Sequence, residues 1–314
     1  MNRIRIGSRG SALALAQANW VKRQIERHLR GARVDLSVIK TSGDKLVDRP
    51  IAAVGGKGVF TKEIEDALLN DDIDLAVHSM KDLPTDLPAG LIIAAVPRRE
   101  DPRDVLVTRD KTLFKDLAAG ARIATGSLRR QAQLLHCRRD LSVVAVRGNI
   151  DTRLRKLDQG EIDALVLAAA GLKRIGQEAR ITEYLTDDIC ISAVGQGALA
   201  IETRDDAAMR ESFKFLHDDA AGAEITAERS LLARLGGGCH VPVGARARVE
   251  GETLKMIGVV ASPNGKALCR ALIEGKSTIA REIGRRLADQ LIRAGGNKIL
   301  AAASGVNHEQ TPGG

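Results

Sequence analysis

The sequence predicts an α/β protein with two sheet-and-helix domains of similar plan, followed by a small α+β domain. Three observations carry this. Short apolar runs alternate with amphipathic helical patterns through the first two thirds of the 314 residues. A strand feeding a helix with arginine in the turn occurs twice, as Arg5-Ile6-Gly7-Ser8 and as Arg122-Ile123-Ala124-Thr125-Gly126-Ser127. Beyond residue 241 the pattern changes to strand, turn and strand, with Ser262-Pro263-Asn264-Gly265 as one turn. A chain this long exceeds what one core organises.

Residues 3–6 read as a strand, and Ser11 opens a helix with Leu13, Trp20, Val21, Ile25 and Leu29 on one side. Strands follow at 34–39, 75–78 and 91–96, with a helix at 60–69. Such runs suit parallel sheets covered on both faces. Residues 98–103 form a polar, Pro-containing connector between domains. The second series has strands at 122–124, 143–146 and 164–167, with helices opening at Ser127 and Asn149. A strand at 198–203 then returns to the first domain. A helix at 220–235 ends at three glycines. The strands 241–249, 254–261 and 267–273 and a helix bearing Ile279, Ile283, Leu287 and Leu291 complete the third domain.

Aromatic residues make up only 2%, so Ala, Val, Leu and Ile must fill the cores. The net charge of +8 and pI near 9.5 suit a polyanionic partner. Base stacking needs aromatic platforms, and one Trp, one Tyr and four Phe scarcely supply them. No apolar signal core follows Met1 and no run would span a bilayer. Cys137, Cys190, Cys239 and Cys269 stand far apart with no C-x-x-C pair, which points to a reducing compartment, the cytoplasm. The six histidines show no metal-ligand spacing, so no metal is expected.

Basic residues recur where strands end and helices begin, the ligand edge of an open α/β sheet. Arg129 and Arg130 occupy the first turn of the helix that Ser127 caps. Cations oppose the helix dipole there, unless an anion rests on the free N–H groups and the guanidinium forks hold it. Arg9 and Ser11, Arg147 and Arg153, and Lys173 and Arg174 fall at equivalent turns. Arginine predominates, as bidentate carboxylate recognition prefers. The loop Gly55-Gly56-Lys57-Gly58 lacks Walker spacing and is either a lid or a plain turn. Asp82, in His78-Ser79-Met80-Lys81-Asp82, would stay ionised among these cations and could stabilise a cationic transition state, or simply cap a turn. Cys239, after Gly236-Gly237-Gly238, is open between a loop thiol and a small hydrophobe.

Taken in order, residues 55–60 (GGKGVF), 76–84 (AVHSMKDLP), 99–104 (REDPRD), 125–131 (TGSLRRQ), 147–154 (RGNIDTRL), 170–176 (AGLKRIG), 194–198 (VGQGA) and 237–242 (GGCHVP) resemble the porphobilinogen deaminase, or hydroxymethylbilane synthase, family. The resemblance runs from Ile4 to about Pro242. It implies two domains like those of type II periplasmic binding proteins, at 1–98 with 198–217 and at 99–197, and a third at 218–314. It implies a monomeric cytoplasmic transferase that joins four porphobilinogen units head to tail, releases ammonia each time, and hydrolyses off hydroxymethylbilane for haem biosynthesis. A dipyrromethane cofactor would hang on Cys239 through a thioether. Asp82 matches the catalytic carboxylate. By motif position Ser79, Lys81, Asp82, Thr125, Ser127, Arg129, Arg130 and Arg147 would hold the cofactor, and Arg9, Ser11, Lys57, Arg153 and Arg174 the substrate. Ala53, Gly126 and His240 depart from the residues common in the family at those places. The rival expectations are a non-catalytic anion-binding protein of similar fold and a nucleic-acid binder.

Overall fold

The computed structural model describes residues 3–45, 60–236 and 241–309. In the first domain β1 (Arg3–Ser8) leads to α1 (Ala12–His28), β2 (Arg33–Val38), the single turn α2 (Ser42–Lys45), α3 (Lys62–Leu69), β3 (Leu75–Ser79) and β4 (Leu91–Ala95). The second runs through β5 (Asp104–Thr108), β6 (Arg122–Ala124), α4 (Leu128–Cys137), β7 (Ser142–Val144), α5 (Ile150–Asp158), β8 (Ala164–Ala168), α6 (Ala169–Arg174) and β9 (Glu183–Tyr184). The chain then returns through β10 (Leu199–Arg204) and α7 (Ala207–Phe213). Last come α8 (Asp219–Arg234), β11 (Val243–Glu250), β12 (Thr253–Ala261), β13 (Leu268–Lys276), α9 (Ala280–Arg293) and α10 (Gly296–Glu309).

The first sheet has the order β2-β1-β3-β10-β4 and the second β7-β6-β8-β5-β9. The two plans match strand for strand. In the first, β1 lies parallel to β2 and β3, while β10 runs antiparallel to β3 and β4. In the second, β6 lies parallel to β7 and β8, while β5 runs antiparallel to β8 and β9. The expected all-parallel sheets are therefore mixed. The antiparallel strand in each sheet, β10 or β5, is the one that enters from a crossover between the domains.

The repeated Arg-Ile motif has a shared physical role. The backbone N–H of Arg5 donates to Asp74 Oδ2 at 2.7 Å, and that of Arg122 donates to Asp163 Oδ2 at 2.8 Å. Each arginine side chain then bridges the same aspartate, at 2.8 and 3.1 Å. An aspartate just before β3 or β8 thus pins the start of the neighbouring strand in both domains. The helices start where side chains cap them: Ser11 accepts from Ala14 N–H, Ser127 from Arg130 N–H and Asn149 from Thr152 N–H.

The crossovers touch each other. A Cβ on Gly197 (φ 87°) would lie 2.3 Å from Glu100 O, so only glycine permits this approach. In the third domain α8 and α9 pack on the meander β11-β12-β13 through Leu231, Met256, Val260, Ile283, Leu287 and Leu291. The opposite face of β12 presents Ile257 and Val259 to Ile191 of the second domain.

Helices α8 and α9 cross so closely at Gly284 that a Cβ there would sit 2.0 Å from Ala227 O. Alanine favours a helix over glycine by about 1 kcal/mol, but overpacking against backbone typically costs about 1–3 kcal/mol. Gly284→Ala should therefore lower the melting temperature, and a thermal melt at or above the parent's would contradict the packing.

Candidate active-site cleft

On the first domain, the ends of β1 and β3 bring Arg9, Ser11, Ser79 and Asp82 to one small cavity of about 60 Å³, with Phe60 and His78 in its wall. Sequence reading placed the first four there. The Arg9 guanidinium lies over the Phe60 ring, 4.3 Å from its centroid. Ser79 is fixed by Gln17, whose Nε2 donates to Ser79 Oγ at 2.9 Å. Ser11 spends its hydroxyl on capping α1. A single 3₁₀ turn, Met80–Asp82, buries Met80, leaves Asp82 exposed and half-buries Lys81.

Lys81 faces the second domain. Its Nζ reaches Gln196 Oε1 at 3.5 Å. Desolvation brings its pKa down to about 8; the charge of Asp82 opposes that, Arg130 and Arg129 reinforce it, and Asp104 opposes it. Arg153, whose Nε donates to Gly148 O at 2.8 Å, is lowered to about 10 by desolvation and by Arg130, with Asp82 opposing. A residue of each domain thus senses charges of the other, so the two sets of strand ends share one cleft. Arg174 donates to Gly197 O at 2.7 Å and is lowered to about 10 by desolvation, with Glu100 opposing. Among the described residues neither Arg153 nor Arg174 is bridged to a carboxylate. Arg147 is exposed at the end of β7.

At Arg129 and Arg130 the anion in place is internal. Their forks already hold a carboxylate, the fully buried Asp104. Arg129 Nη1 meets Asp104 Oδ2 at 2.6 Å and Ile191 O at 2.6 Å, while Arg130 Nε and Nη2 meet Asp104 Oδ1 at 2.9 and 2.8 Å. Arg130 Nη1 also donates to Val166 O at 3.0 Å. Burial alone would raise the Asp104 carboxyl, but the two guanidiniums outweigh it and hold the group well below the usual carboxylate range. The cations crowd the start of α4 because an internal anion compensates them. Thr125, likewise buried, accepts from Ser127 N–H at 3.1 Å. At Gly126 a Cβ would lie 2.9 Å from Val146 O, a tight fit for the serine common in the resembled family. Lys57, Cys239, Ala53 and His240 lie outside the described residues.

Several polar residues at the site went unread in the sequence. Gln196 donates to Asp104 Oδ1 at 2.9 Å and to Pro102 O at 2.7 Å, tying the crossovers together. Arg99 holds the buried Glu228 of α8 at 2.7 Å. Behind the small cavity, His78 Nε2 lies 2.9 Å from Glu202 Oε2. Nearby Glu65 is pushed up by burial; a hydrogen bond with Thr61 opposes that and the charge of Glu202 adds to it. Asp104 and Gln196 do lie inside the motifs at 99–104 and 194–198, which was the available signal.

A family model described as "Porphobilinogen deaminase, dipyromethane cofactor binding domain" matches residues 4–211, and one described as "Porphobilinogen deaminase, C-terminal domain" matches residues 223–293. Among similar proteins named porphobilinogen deaminase, that of Trichlorobacter lovleyi is 52% identical over 299 residues, covering 95% of this chain and 96% of its own. Those of Syntrophotalea carbinolica and Geobacter sulfurreducens are 51% and 50% identical, each covering 95% of its own length and 95% and 96% of this chain. A probable amino-acid ABC transporter extracellular-binding protein, ytmK of Bacillus subtilis, superposes with a TM-score of 0.41 at 10% identity. That pairing covers 68% of this chain and 89% of the other.

Lys81 attracts a carboxylate ligand only while its amine is charged. Its pKa lies below the usual lysine value, so the charge is present below about pH 8 and is lost as pH rises through it. The affinity of cofactor-free protein for a carboxylate ligand should fall across that range. Lys81→Arg should stay flat, and binding curves with the same pH dependence in both proteins would contradict this.

Proposed function

The chain belongs to the porphobilinogen deaminase family, and on that premise we propose how its own residues divide the work. The activity is that of a transferase: porphobilinogen units are joined head to tail into a linear tetrapyrrole on the haem pathway, with loss of ammonia. The dipyrromethane cofactor belongs to this family's cleft. The donor set fits it: the half-buried Lys81, Arg153 and Arg174 are partly desolvated cations, suited to the acetate and propionate groups of pyrroles. When bound, the cofactor supplies a tethered pyrrole carbon as nucleophile.

In our reading Cys239, which follows α8 and precedes β11 in the sequence, carries the tether. Asp82 is the catalytic carboxylate. Exposed on the cleft floor beside Lys81, it stabilises the positive charge that develops on the substrate's pyrrole nitrogen as the C–N bond breaks. It then takes the proton lost when the ring carbon regains aromaticity. Lys81, Ser79, Arg147 and the Thr125–Ser127 turn hold cofactor carboxylates, and Arg9, Ser11, Lys57, Arg153 and Arg174 hold those of the incoming unit. Arg129 and Arg130 act chiefly by neutralising Asp104 and presenting a positive wall. The observation that carries this reading is electrostatic convergence across the cleft: Arg153 of α5 feels the charge of Asp82, and Lys81, in the turn after β3, feels Arg129, Arg130 and Asp104.

We further propose domains at 1–98 with 198–217, at 99–197 and at 218–314, supported by β10 lying in the first sheet. One chain supplies both sides of the cleft, so the monomer is the proposed working unit. The free thiols of Cys137, Cys190 and Cys269 suit the cytoplasm. Among the described residues no helix is long and apolar enough to cross a membrane. Nucleic acid is not a proposed partner. A non-catalytic anion binder is not what the family match supports.

Asp82→Asn preserves shape and removes the charge. Porphobilinogen turnover should fall by about a hundredfold or more, the scale of losing one preorganised transition-state contact, while the melting temperature barely moves. Asp82→Glu should retain a fraction of the rate. Near-normal turnover in the Asn variant would reduce Asp82 to a turn residue.

A further inference from the structure

A second, larger cavity, of about 440 Å³, lies away from the cleft. It sits at the far end of α1, whose N-cap Ser11 touches the catalytic side; its 17 residues put the two ends about 25 Å apart. Three stretches of chain line it: the last turns of α1 (Trp20, Arg27, His28), the outgoing crossover (Arg98) and the link into α8 (Phe215, His217). Its volume is in the range of small-molecule sites.

The walls have a definite chemistry. The chain has one Trp, one Tyr and four Phe, and two of those six, Trp20 and Phe215, flank this one cavity. Both are half-buried and packed on the first domain's core, which holds them in place. His28 stacks on Phe215 with ring centroids 3.8 Å apart and planes within 4°. The result is a flat, rigid surface. At the rim stand Arg27 and Arg98, both exposed and, among the described residues, neither ion-paired. The acid in the lining, Asp218, is spent on capping α8 through Ala221 N–H at 2.8 Å. The lining joins the two places where the chain leaves the first domain: Val96 N–H donates to His217 Nδ1 at 3.1 Å, and Asp218 N–H donates to Val96 O at 2.9 Å.

We propose that this cavity binds a planar aromatic anion, a ring bearing carboxylate, sulfonate or phosphate, and that its occupancy modulates turnover through the outgoing crossover. The ring lies against Trp20 and the His28–Phe215 stack, while Arg27 and Arg98 take the charge. An occupant contacts α1 and the two places where the chain leaves the first domain, at Arg98 and at His217, so it biases how both exits are set. It adds nothing to the catalytic residues.

Trp20 is the only tryptophan, so the single fluorescence donor lies in the wall of this cavity. The probe is 8-anilinonaphthalene-1-sulfonate, titrated into the holoenzyme with energy transfer from Trp20 as the signal. Saturable transfer is expected, together with a change in turnover at saturation. In the Arg27→Ala/Arg98→Ala double variant the affinity should fall by about tenfold or more, the effect of losing charge-assisted contacts. Turnover without probe should match the parent's, which also shows that the variant folds. Transfer that never saturates, or an equal affinity in the double variant, overturns the site. An unchanged turnover at saturation, or inhibition that persists equally in the double variant, overturns its coupling to the crossover.

Discussion

The architecture depends on one buried carboxylate. Asp104 has no exposure to solvent, yet it stays charged because Arg129, Arg130 and Gln196 surround it. Taking any ion out of water is costly, and a buried pair is tolerated only when geometry and hydrogen bonds are complete. Here they are. The carboxylate belongs to the first strand after the outgoing crossover, the guanidiniums to the first turn of α4, and the amide to the returning crossover. One charge cluster therefore fixes where both connections pass and where the second domain's ligand edge stands.

A second cluster extends this to the third domain. Glu228 of α8 accepts from Arg99 at 2.7 Å, from Gly195 N–H at 2.7 Å and from Ala247 N–H at 2.7 Å. Burial pushes its carboxyl up, against the opposing charge of Arg99. Arg99 and Asp104 are five residues apart on the outgoing crossover, and Gly195 and Gln196 are neighbours on the return. The same short segments thus hold the helix whose C-terminal end leads to Cys239. Lys81, Arg153 and Arg174 stand half-buried on the cleft, where desolvation lowers the pKa of each.

Elements with a local signature were legible in the sequence. Ser11, Ser127 and Asn149 announced their helices because a capping side chain acts within three residues. The Arg5 and Arg122 echo was legible too, though not its cause, since Asp74 and Asp163 lie far along the chain. What depended on distant partners was missed. Strand β5 is a five-residue run directly after the polar connector, and it becomes a strand by pairing with β8 and β9. Two-residue β9 has no periodicity to read, and α10 is rich in small residues with little apolar face. The helix-start arginines signalled an anion because cations oppose the dipole there. That the anion is Asp104, twenty-five residues upstream, is a fact of tertiary packing that spacing cannot supply.

The central claim is that the basic cleft serves a pyrrole chain anchored on the loop of the third domain. The most direct measurement is the intact mass of the purified protein, followed by a peptide map. The account predicts a mass above that of the polypeptide by two linked pyrrole units, with the adduct on the peptide containing Cys239. An unmodified mass in fully active protein, or an adduct on Cys137, Cys190 or Cys269, would contradict it.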